Sequence, residues 1–250
     1  MVLQRVFVRV YPKFLKLMNY GRGEDFRQSG ELKVIKYIYT RLVGTKKIIL
    51  FDVGANIGEY TLALNDFFKE KDHQIFSFEP STETFKMLTQ KTEGIINVIP
   101  VNFGLGDKNN RQSLFSASHS SGLTSVYNRR LDHLNIKMDK TEEINLATID
   151  SFCVENGVDH IDFLKIDVEG HELKVLQGAE KMICNGGIRF IQFEFGGCNI
   201  DSKTYFQDFY YLLSEKYKIF RIVQNGLIPI LHYHETQEIF LTVNYFAELR

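Results

Sequence analysis

Leu50-Phe-Asp-Val-Gly-Ala-Asn-Ile-Gly-Glu-Tyr-Thr61 is the stretch that decides the fold, because it joins a strand, a turn and a helix. Residues 48–53 form a β-branched and aromatic run of strand length. Gly54 and Gly58 then let a ligand approach the backbone closely, and the following helix directs its free N–H groups to the same place. The stretch therefore predicts a binding turn of the nucleotide type between a buried strand and an amphipathic helix.

The length and the charge of the chain limit the classes of protein to consider. Its 250 residues suffice for one large α/β domain. The formal net charge is -1, so no overall positive field attracts nucleic acid or anionic lipid. Three cysteines without paired spacing favour a reducing compartment. We expect a cytoplasmic protein that binds a small molecule and no nucleic-acid polymer.

The N-terminal residues 1–46 are predicted to be helical and to pack on the core of the main domain, which spans 47–250. Residues 1–18 mix apolar residues with four basic ones, Arg5, Arg9, Lys13 and Lys16. They contain no unbroken apolar segment, so neither a signal peptide nor a membrane span is predicted. An amphipathic helix packed on the domain is favoured over an anchor at a membrane surface.

Strand-like and helix-like patterns alternate along the rest of the chain. Apolar runs of strand length recur at 74–80, 95–101, 161–167, 188–195, 219–223, 227–231 and 239–246. Their alternation with helical patterns predicts an α/β fold with a mainly parallel sheet and helices on both faces. Gln224-Asn-Gly226 lies between two of the runs and predicts a tight terminal hairpin with an antiparallel edge. The long polar insertion at about 108–146 is predicted to form a partly structured flap near the site.

Polar and acidic residues follow the predicted strands at the end where ligands bind in such sheets. These residues are the turn from Asp52 to Gly58, Glu79, Asn102, Asp167 and Glu194. Because the carboxyl ends of parallel strands meet at one edge, we expect a single site built from all of them.

The glycine turn does not fit a nicotinamide dinucleotide. The pattern lacks the third glycine of G-x-G-x-x-G, and Asp52 lies where it would repel a pyrophosphate. An acid there suits S-adenosylmethionine, which carries an ammonium and a sulfonium group, and Glu79 would accept hydrogen bonds from both ribose hydroxyls. Helix capping by Asp52 and Glu79 is the competing structural interpretation.

Six ordered motifs between Ile48 and Gly196 closely resemble the FkbM family of methyltransferases. They are Phe51-Asp-Val-Gly-Ala-Asn-Ile-Gly-Glu-Tyr-Thr61, Phe78-Glu-Pro80, Asn102-Phe-Gly-Leu-Gly-Asp107, Ser121-Gly-Leu-Thr-Ser125, Thr148-Ile-Asp150, and Phe163-Leu-Lys-Ile-Asp-Val-Glu-Gly-His-Glu-Leu-Lys-Val-Leu-Gln-Gly178. Each motif alone is modest, whereas the ordered set is highly specific.

The resemblance implies a Rossmann-like class I methyltransferase fold with a seven-stranded sheet and a reversed last strand. It also implies transfer of a methyl group from S-adenosylmethionine to a hydroxyl oxygen, often on a sugar or a polyketide. The cofactor-binding residues that follow from it are Asp52, Gly54, Asn56, Gly58 and Glu79. Further residues in or beside the motifs complete the predicted cofactor set, namely Tyr60, Thr61, Pro80, Ser81, Asn102 and Asp167.

An alcohol is a poor nucleophile near neutral pH, so a general base or a metal must assist the transfer. The candidate catalytic residues are Asp167, Glu169, His171 and Glu194. Carboxylates on adjacent strand ends also suit a divalent cation such as Mg²⁺, Mn²⁺ or Ca²⁺, with Asp167, Glu169 and Glu194 as its ligands. His171 is equally compatible with a structural role, and Glu172 is favoured as a helix cap.

The acceptor is less visible in the sequence. We expect a saccharide hydroxyl, on a sugar nucleotide or on a glycan precursor of a capsule or other surface polysaccharide. A polyketide, lipid or peptide hydroxyl is an alternative, as are a non-catalytic cofactor-binding module and, third, a dehydrogenase. Basic and aromatic residues of the insertion could hold a diphosphate, namely Arg129, Arg130, Lys137, Lys140, Tyr127, His119 and His133, although a solvated charged surface is somewhat favoured.

Overall fold

The computed structural model describes residues 2–23, 25–117 and 120–250. The helices are α1 (Val2–Leu17), α2 (Phe26–Ser29), α3 (Glu31–Arg41), α4 (Glu59–Phe68), α5 (Thr82–Lys91), α6 (Ile149–Asn156), α7 (Glu172–Gln177), α8 (Glu180–Cys184), α9 (Cys198–Ser202) and α10 (Phe206–Leu213). The strands are β1 (Ile48–Val53), β2 (His73–Phe78), β3 (Val98–Val101), β4 (Gly104–Leu105), β5 (Asn110–Ala117), β6 (Ser120–Ser125), β7 (Lys140–Ala147), β8 (Ile161–Ile166), β9 (Ile188–Phe195), β10 (Tyr217–Val223), β11 (Gly226–Ile230) and β12 (Val243–Leu249).

The main sheet is mainly parallel, as predicted, and its strand order is β11-β10-β12-β9-β8-β1-β2-β3. The five strands from β9 to β3 run parallel, and β12 lies antiparallel between β9 and β10. The sheet has eight strands among the described residues, so the expectation of seven is corrected. The additional strand is β11, which pairs antiparallel with β10 across the hairpin that Asn225-Gly226 predicts.

Alternate residues of β1 pack into opposite layers of the molecule. Ile48 and Leu50 pack with α3 and α4, whereas Phe51 and Val53 join the layer that contains Phe152. All six residues of β1 are buried. A strand covered on both faces reads as a continuous apolar run, which is why the opening stretch identifies the centre of the sheet.

The insertion forms a second sheet with the strand order β4-β7-β5-β6. Strands β5 and β7 pair antiparallel over seven residues each, from Asn110 opposite Leu146 to Ser116 opposite Lys140. A small apolar cluster supports this sheet, consisting of Leu114, Ile144, Leu146 and the partly buried Val126. The segment predicted to be a partly structured flap thus forms a β-sheet. His119, one of the basic candidates of the insertion, lies outside the described residues.

The N-terminal segment packs on the core only in part. Helix α3 buries three apolar residues against the main sheet, Val34, Ile35 and Ile38. Helix α1 instead buries Leu15 and leaves most of its apolar side chains exposed. It is held at its C-terminal end, where Arg221 donates a hydrogen bond to the carbonyl oxygen of Met18. The segment therefore contacts the core through α3 and through Leu15 near the C-terminal end of α1.

No helix among the described residues has the length and apolar character that crossing a membrane requires.

Candidate active site

The carboxyl ends of β1, β2, β8 and β9 meet in one cleft with a volume of about 1320 Å³. The second sheet forms the opposite wall, to which Leu114, Leu123, Val126, Ile144 and Leu146 contribute. Nine of the predicted site residues line this cleft, namely Gly54, Asn56, Tyr60, Glu79, Pro80, Asp167, Glu169, His171 and Glu194. The other five do not line it, namely Asp52, Gly58, Thr61, Ser81 and Asn102.

The glycine turn passes directly over the end of β8. Gly54 has a φ of +80°, and a Cβ atom at this position would lie 1.8 Å from the carbonyl oxygen of Asp167. The backbone N–H groups of Gly54 and Ala55 both donate to the carbonyl oxygen of Phe78, at 3.0 and 2.9 Å. Only glycine fits at residue 54, because any side chain would push the turn away from β8.

Asp52 lies below the floor of the cleft and is fully buried. Its Oδ2 accepts a hydrogen bond from the hydroxyl of Thr61 at 2.6 Å, and its Oδ1 lies 3.5 Å from the ammonium of Lys165. The same ammonium lies 3.3 Å from a carboxylate oxygen of Asp167, which does line the cleft. Asp52 therefore influences the cleft through Lys165, and Thr61 orients Asp52.

Lys165 is a buried cation that the sequence analysis did not single out. Burial lowers its pKa, but the carboxylates of Asp167 and Asp52 outweigh burial and hold the pKa above its ordinary value. A lysine in the middle of the apolar run Phe163-Leu-Lys-Ile166 was the available signal, since a charged residue in a buried strand needs a partner.

Glu79 follows β2 and is held at both carboxylate oxygens. Its Oε2 accepts the N–H of Asn56 at 3.0 Å, and its Oε1 accepts the N–H of Ser81 at 2.9 Å. Burial raises the pKa of Glu79 to about 7, against the lowering effect of these two backbone hydrogen bonds. Asn102 supports the loop from outside, because its Nδ2 donates to the carbonyl oxygens of Glu79 and Pro80. Glu79 is thus a fixed acceptor at the edge of the cleft.

Three carboxylates converge where β8 and β9 end. Asp167, Glu169 and Glu194 all line the cleft, and Glu169 forms an ion pair with Arg129 of the insertion. Burial, followed by the charge of Asp167, raises the pKa of Glu169 to about 8 and that of Glu194 well above its ordinary value. Glu194 is 7% exposed, and no hydrogen bond or ion pair from the described residues reaches its carboxylate. A buried carboxylate with free oxygens facing a cleft is suited to accept a proton from a ligand.

His171 lies beside these carboxylates, but both ring nitrogens face protein. Its Nδ1 is hydrogen-bonded to the hydroxyl of Tyr127 at 3.1 Å. Its Nε2 is buried without a hydrogen-bond partner among the described residues and faces Gly106, where a Cβ atom would approach it to 2.9 Å. Burial lowers the pKa of His171 to about 4, so the ring is neutral near pH 7. This geometry favours the structural interpretation of His171.

The local structure around His171 depends on Glu172, which is fully buried. Its Oε1 accepts the N–H groups of Val168 and Gly170, both at 3.0 Å. These bonds stabilise the sharp turn after β8, in which Glu169 has a φ of +54° and Gly170 a φ of +107°. The role differs from the predicted helix cap, because both bonds reach the turn before α7 and no side-chain hydrogen bond from the described residues caps that helix.

The predicted metal ligands come together only in part. Across residues 2–23, 25–117 and 120–250, the group of three or more potential ligands whose donor atoms lie within 4.8 Å of one another is Glu169, Glu194 and Cys198. Asp167 does not belong to this group. Burial and the nearby carboxylates of Glu172 and Glu194 raise the pKa of Cys198 well above its ordinary value. Its sulfur is a soft ligand that does not suit Mg²⁺, Mn²⁺ or Ca²⁺.

The basic residues of the insertion separate into two groups. Arg129 is nearly buried between Glu169 and Asp201, and its Nε lies 3.7 Å from the Asp201 carboxylate. Arg130 and His133 line the cleft, whereas Lys137 and Lys140 do not. The cleft thus offers Arg130 and His133 as basic contacts for an acceptor, while Arg129 is occupied by two acids.

Glu31 of α3 is a further cleft residue that the sequence analysis missed. Its carboxylate accepts hydrogen bonds from the Ser29 hydroxyl at 2.7 Å, from Asn244 at 3.0 Å and from Gln192. It lies outside the motifs, and its partners come from β9 and β12. No local pattern could have indicated it, because its environment exists only in the folded chain.

Comparison with known proteins identifies the family of this chain. The family model described as Methyltransferase FkbM domain matches residues 52–219, which is more than half of the chain. The hexuronic acid methyltransferase AglP of Haloferax volcanii is 30% identical over 159 residues, which cover 63% of this chain and 59% of that protein. The chain thus spans less than two thirds of the length of this curated relative.

Among solved structures, the methyltransferase FkbM from Methylobacillus flagellatus KT has a TM-score of 0.49 and 20% identity, with 80% of this chain and 44% of that chain covered. The plantazolicin methyltransferase BpumL in complex with SAH has a TM-score of 0.47 and 11% identity, with 88% and 83% covered. On the strength of the family model, which begins at Asp52 and includes the strand ends that build the cleft, the chain belongs to the FkbM methyltransferase family.

Proposed function

We propose that this chain is an S-adenosylmethionine-dependent O-methyltransferase that acts on a saccharide hydroxyl. The observation that carries the proposal is the convergence of Asp167, Glu169 and Glu194 on the glycine turn and Glu79 within one cleft. Family membership adds independent support for methyl transfer. It also weighs against the dehydrogenase hypothesis, which the absence of the third glycine already weakens.

The cleft suits a ligand that carries positive charge. Three buried or half-buried acids, Glu31, Asp52 and Asp167, surround the ammonium of Lys165. An added cation relieves the repulsion among these acids, whereas a diphosphate would increase it. Glu79 keeps a second lone pair on each oxygen for ribose hydroxyls, and the missing side chain at Gly54 leaves the backbone open to the ligand.

S-adenosylmethionine supplies a methyl carbon bonded to a positively charged sulfur. In the proposed reaction the acceptor oxygen forms a bond to this carbon as the carbon–sulfur bond breaks, and the hydroxyl proton passes to Glu194. Glu194 is the proposed general base because its carboxylate is buried, has free oxygens and faces the cleft. Burial, followed by the charges of Asp167 and Glu169, raises its affinity for a proton, and the positive charge of bound S-adenosylmethionine would favour the ionised carboxylate that accepts it.

A divalent cation held by Glu169 and Glu194 is the second candidate for activating the hydroxyl. The closeness of their donor atoms supports it, whereas the soft sulfur of Cys198 and the Arg129–Glu169 ion pair weigh against it. Transfer assays with EDTA and with added Mg²⁺, Mn²⁺ or Ca²⁺ distinguish the two. We expect EDTA-treated protein to keep its activity. If EDTA abolishes activity and one of these cations restores it, the hydroxyl is activated by a metal ion and not by a general base.

The saccharide acceptor is supported by a relative, since the protein 30% identical to this chain is named a hexuronic acid methyltransferase. Arg130 and His133 lie on the cleft wall, and their side chains are suited to bind acidic or phosphorylated sugars. A sugar nucleotide or a precursor of a capsule or other polysaccharide fits this chemistry. The free thiols of Cys153, Cys184 and Cys198 agree with a role in the cytoplasm.

The test uses S-adenosylmethionine with a labelled methyl group and a panel of sugar nucleotides and glycans, half of which contain hexuronic acid. We expect label in a sugar hydroxyl for at least one member of the panel. Cofactor binding is measured separately by calorimetry. Binding without transfer to any saccharide would favour a non-catalytic module or a non-sugar acceptor, and absence of binding would contradict the cofactor assignment itself.

A further inference from the structure

Helix α1 exposes a continuous apolar face to solvent. Leu3, Phe7 and Leu17 are 68%, 59% and 80% exposed. Other exposed apolar residues of the same segment are Val6, Val8, Tyr11, Phe14 and Met18. Residues 3, 6, 7, 10, 14 and 17 recur at the three- and four-residue spacing of one helix face. Exposed large apolar residues in one contiguous patch mark an interaction surface.

The side of α1 next to this apolar face is positively charged. Arg5, Arg9, Lys13 and Lys16 recur at the same helical spacing, and Val2–Leu17 contains no acidic residue. This segment therefore carries a formal charge of four in a chain whose formal net charge is -1. A surface that contacted another protein's apolar core would gain nothing from so many cations. An anionic surface that also offers an apolar interior complements both sides of the helix.

The domain holds α1 so that its apolar face remains free. The helix is attached through Leu15, which is 5% exposed, and through the hydrogen bond from Arg221 to the carbonyl oxygen of Met18. Next to this attachment, the Asn19 side chain donates to the carbonyl oxygen of Ser29 at 3.1 Å. Because Leu15 and the apolar face lie on different sides of the helix, attachment to the domain does not cover that face.

We propose that α1 lies in the headgroup region of an anionic lipid bilayer, with its apolar face toward the acyl chains and Arg5, Arg9 and Lys13 at the lipid phosphates. The 16 residues of α1 and its four cations match a helix that lies in the interface plane. Pro12 and Lys16 of the same helix line the cleft, so this contact brings the active site next to the bilayer. Binding of α1 to a bilayer does not depend on which reaction takes place in the cleft.

The test is flotation of the full chain with vesicles of phosphatidylcholine alone or of phosphatidylcholine and phosphatidylglycerol at a ratio of about three to one. We expect binding to the anionic vesicles and at least tenfold weaker binding to the neutral ones. The double variant Phe7→Glu/Phe14→Glu should lose at least tenfold in affinity for the anionic vesicles, because it places charges on the apolar face. Arg9→Gln/Lys13→Gln should lose about fivefold for each charge removed, and added salt should weaken wild-type binding.

The matched control is Met87→Glu/Ile96→Glu, which changes two exposed apolar residues far along the chain from α1. It should bind anionic vesicles as the wild type does. Circular dichroism confirms that each variant is folded. The proposal is overturned if the wild type does not float, if it binds both kinds of vesicle equally, or if the control loses as much affinity as the α1 variant. Self-association of the wild type that Phe7→Glu/Phe14→Glu abolishes, without vesicle binding, would also overturn it and identify a second copy as the occupant.

Discussion

At the scale of single residues, the glycine turn depends on the missing side chain at Gly54. Gly54→Ala would place a Cβ atom 1.8 Å from the carbonyl oxygen of Asp167 in a left-handed backbone conformation. Gly94→Ala is the matched control, because Gly94 has a nearly equal φ of +78° but no atom within 4 Å of the position that a Cβ atom would take. The two variants therefore separate close contact from backbone strain.

We expect Gly94→Ala to lower the free energy of unfolding by about 1–2 kcal/mol. Gly54→Ala should lose more than about 3 kcal/mol and should not bind S-adenosylmethionine, because the turn must move off β8. Urea denaturation and calorimetry measure the two effects. Equal destabilisation by the two variants, with cofactor binding intact in both, would show that the contact between the turn and Asp167 is unimportant.

His171 is a second residue whose role its surroundings decide. Since its Nδ1 is bonded to Tyr127 and its Nε2 is buried against Gly106, we expect it to position the turn after β8. His171→Ala should lower turnover by about tenfold and leave the pH dependence of turnover unchanged. Turnover across pH 5 to 9 measures this effect. Disappearance of the low-pH limb of the profile in His171→Ala would identify His171 as the base.

At the scale of elements, the second sheet is joined to the end of β8 by a few polar contacts. The Ser125 hydroxyl donates to the carbonyl oxygen of Glu169 at 2.7 Å, and the Tyr127 hydroxyl reaches His171. The second sheet contributes the cleft wall opposite the cofactor residues. These contacts therefore set the distance between the cleft wall formed by the second sheet, where we expect the acceptor to bind, and the carboxylates at the ends of β8 and β9.

Removing these polar contacts should weaken binding of the acceptor and leave the affinity for S-adenosylmethionine unchanged. Ser125→Ala and Tyr127→Phe should each raise the KM for the acceptor by about three- to tenfold, since one hydrogen bond is worth about 1 kcal/mol. Arg111→Ala is the control, because its ion pair with Glu143 on the same sheet is solvent-exposed. Steady-state kinetics at saturating S-adenosylmethionine test this expectation, and an unchanged KM in both variants would contradict a positioning role for the sheet.

The elements also show where sequence reasoning ends. Continuous apolar runs and the turn residues that follow them identify β1, β2, β8 and β9, because a strand buried on both faces has a strong local signal. The second sheet is only partly predictable from the sequence. Its strands β5 and β7 pair with each other, but the residues between them are mostly short polar segments that give no clear strand pattern. The exposure of α1 is not predictable at all, because amphipathic helices that pack on a core and on a membrane share the same pattern.

At the scale of the whole molecule, buried carboxyl groups make stability depend on pH. Burial raises the pKa values of Glu31, Glu79 and Glu172 to about 7, and that of Glu169 to about 8. The folded chain therefore binds more protons than the unfolded chain above about pH 4.5, and the stabilising contribution is lost as pH rises through these values. His171 acts in the opposite direction between about pH 4 and 6.5, because its pKa is lowered to about 4.

We expect the free energy of unfolding to fall between about pH 4.5 and 8, because four carboxyl groups with raised pKa values outweigh the single histidine. The slope per group is at most about 1.4 kcal/mol for each pH unit. Glu172→Gln should make the slope shallower, because the amide oxygen keeps the bonds from Val168 and Gly170 without titrating. Urea denaturation at several pH values measures the slope. A free energy that is constant or rises over this interval would contradict the raised pKa values.

Much of the site follows from the sequence, and the remainder follows from tertiary contacts. The nine predicted residues that line the cleft come from local motifs at strand ends. Asp52 is an example of a residue whose role depends on tertiary contacts. The sequence shows that it is acidic, but its position below the floor of the cleft depends on contacts with Lys165 and Thr61, which belong to other elements. Glu31 depends on β9 and β12 in the same way.

The central claim is that a carboxylate at the end of β9 accepts the hydroxyl proton during methyl transfer in this cleft. The most direct measurement is the rate of labelled methyl transfer by the wild type and by Glu194→Gln, with the best acceptor of the saccharide panel and saturating S-adenosylmethionine. We predict a fall in turnover of about 10²–10⁴ with unchanged cofactor affinity, as expected for loss of a general base. Turnover by Glu194→Gln within about threefold of the wild type, a difference far below that range, would contradict the account.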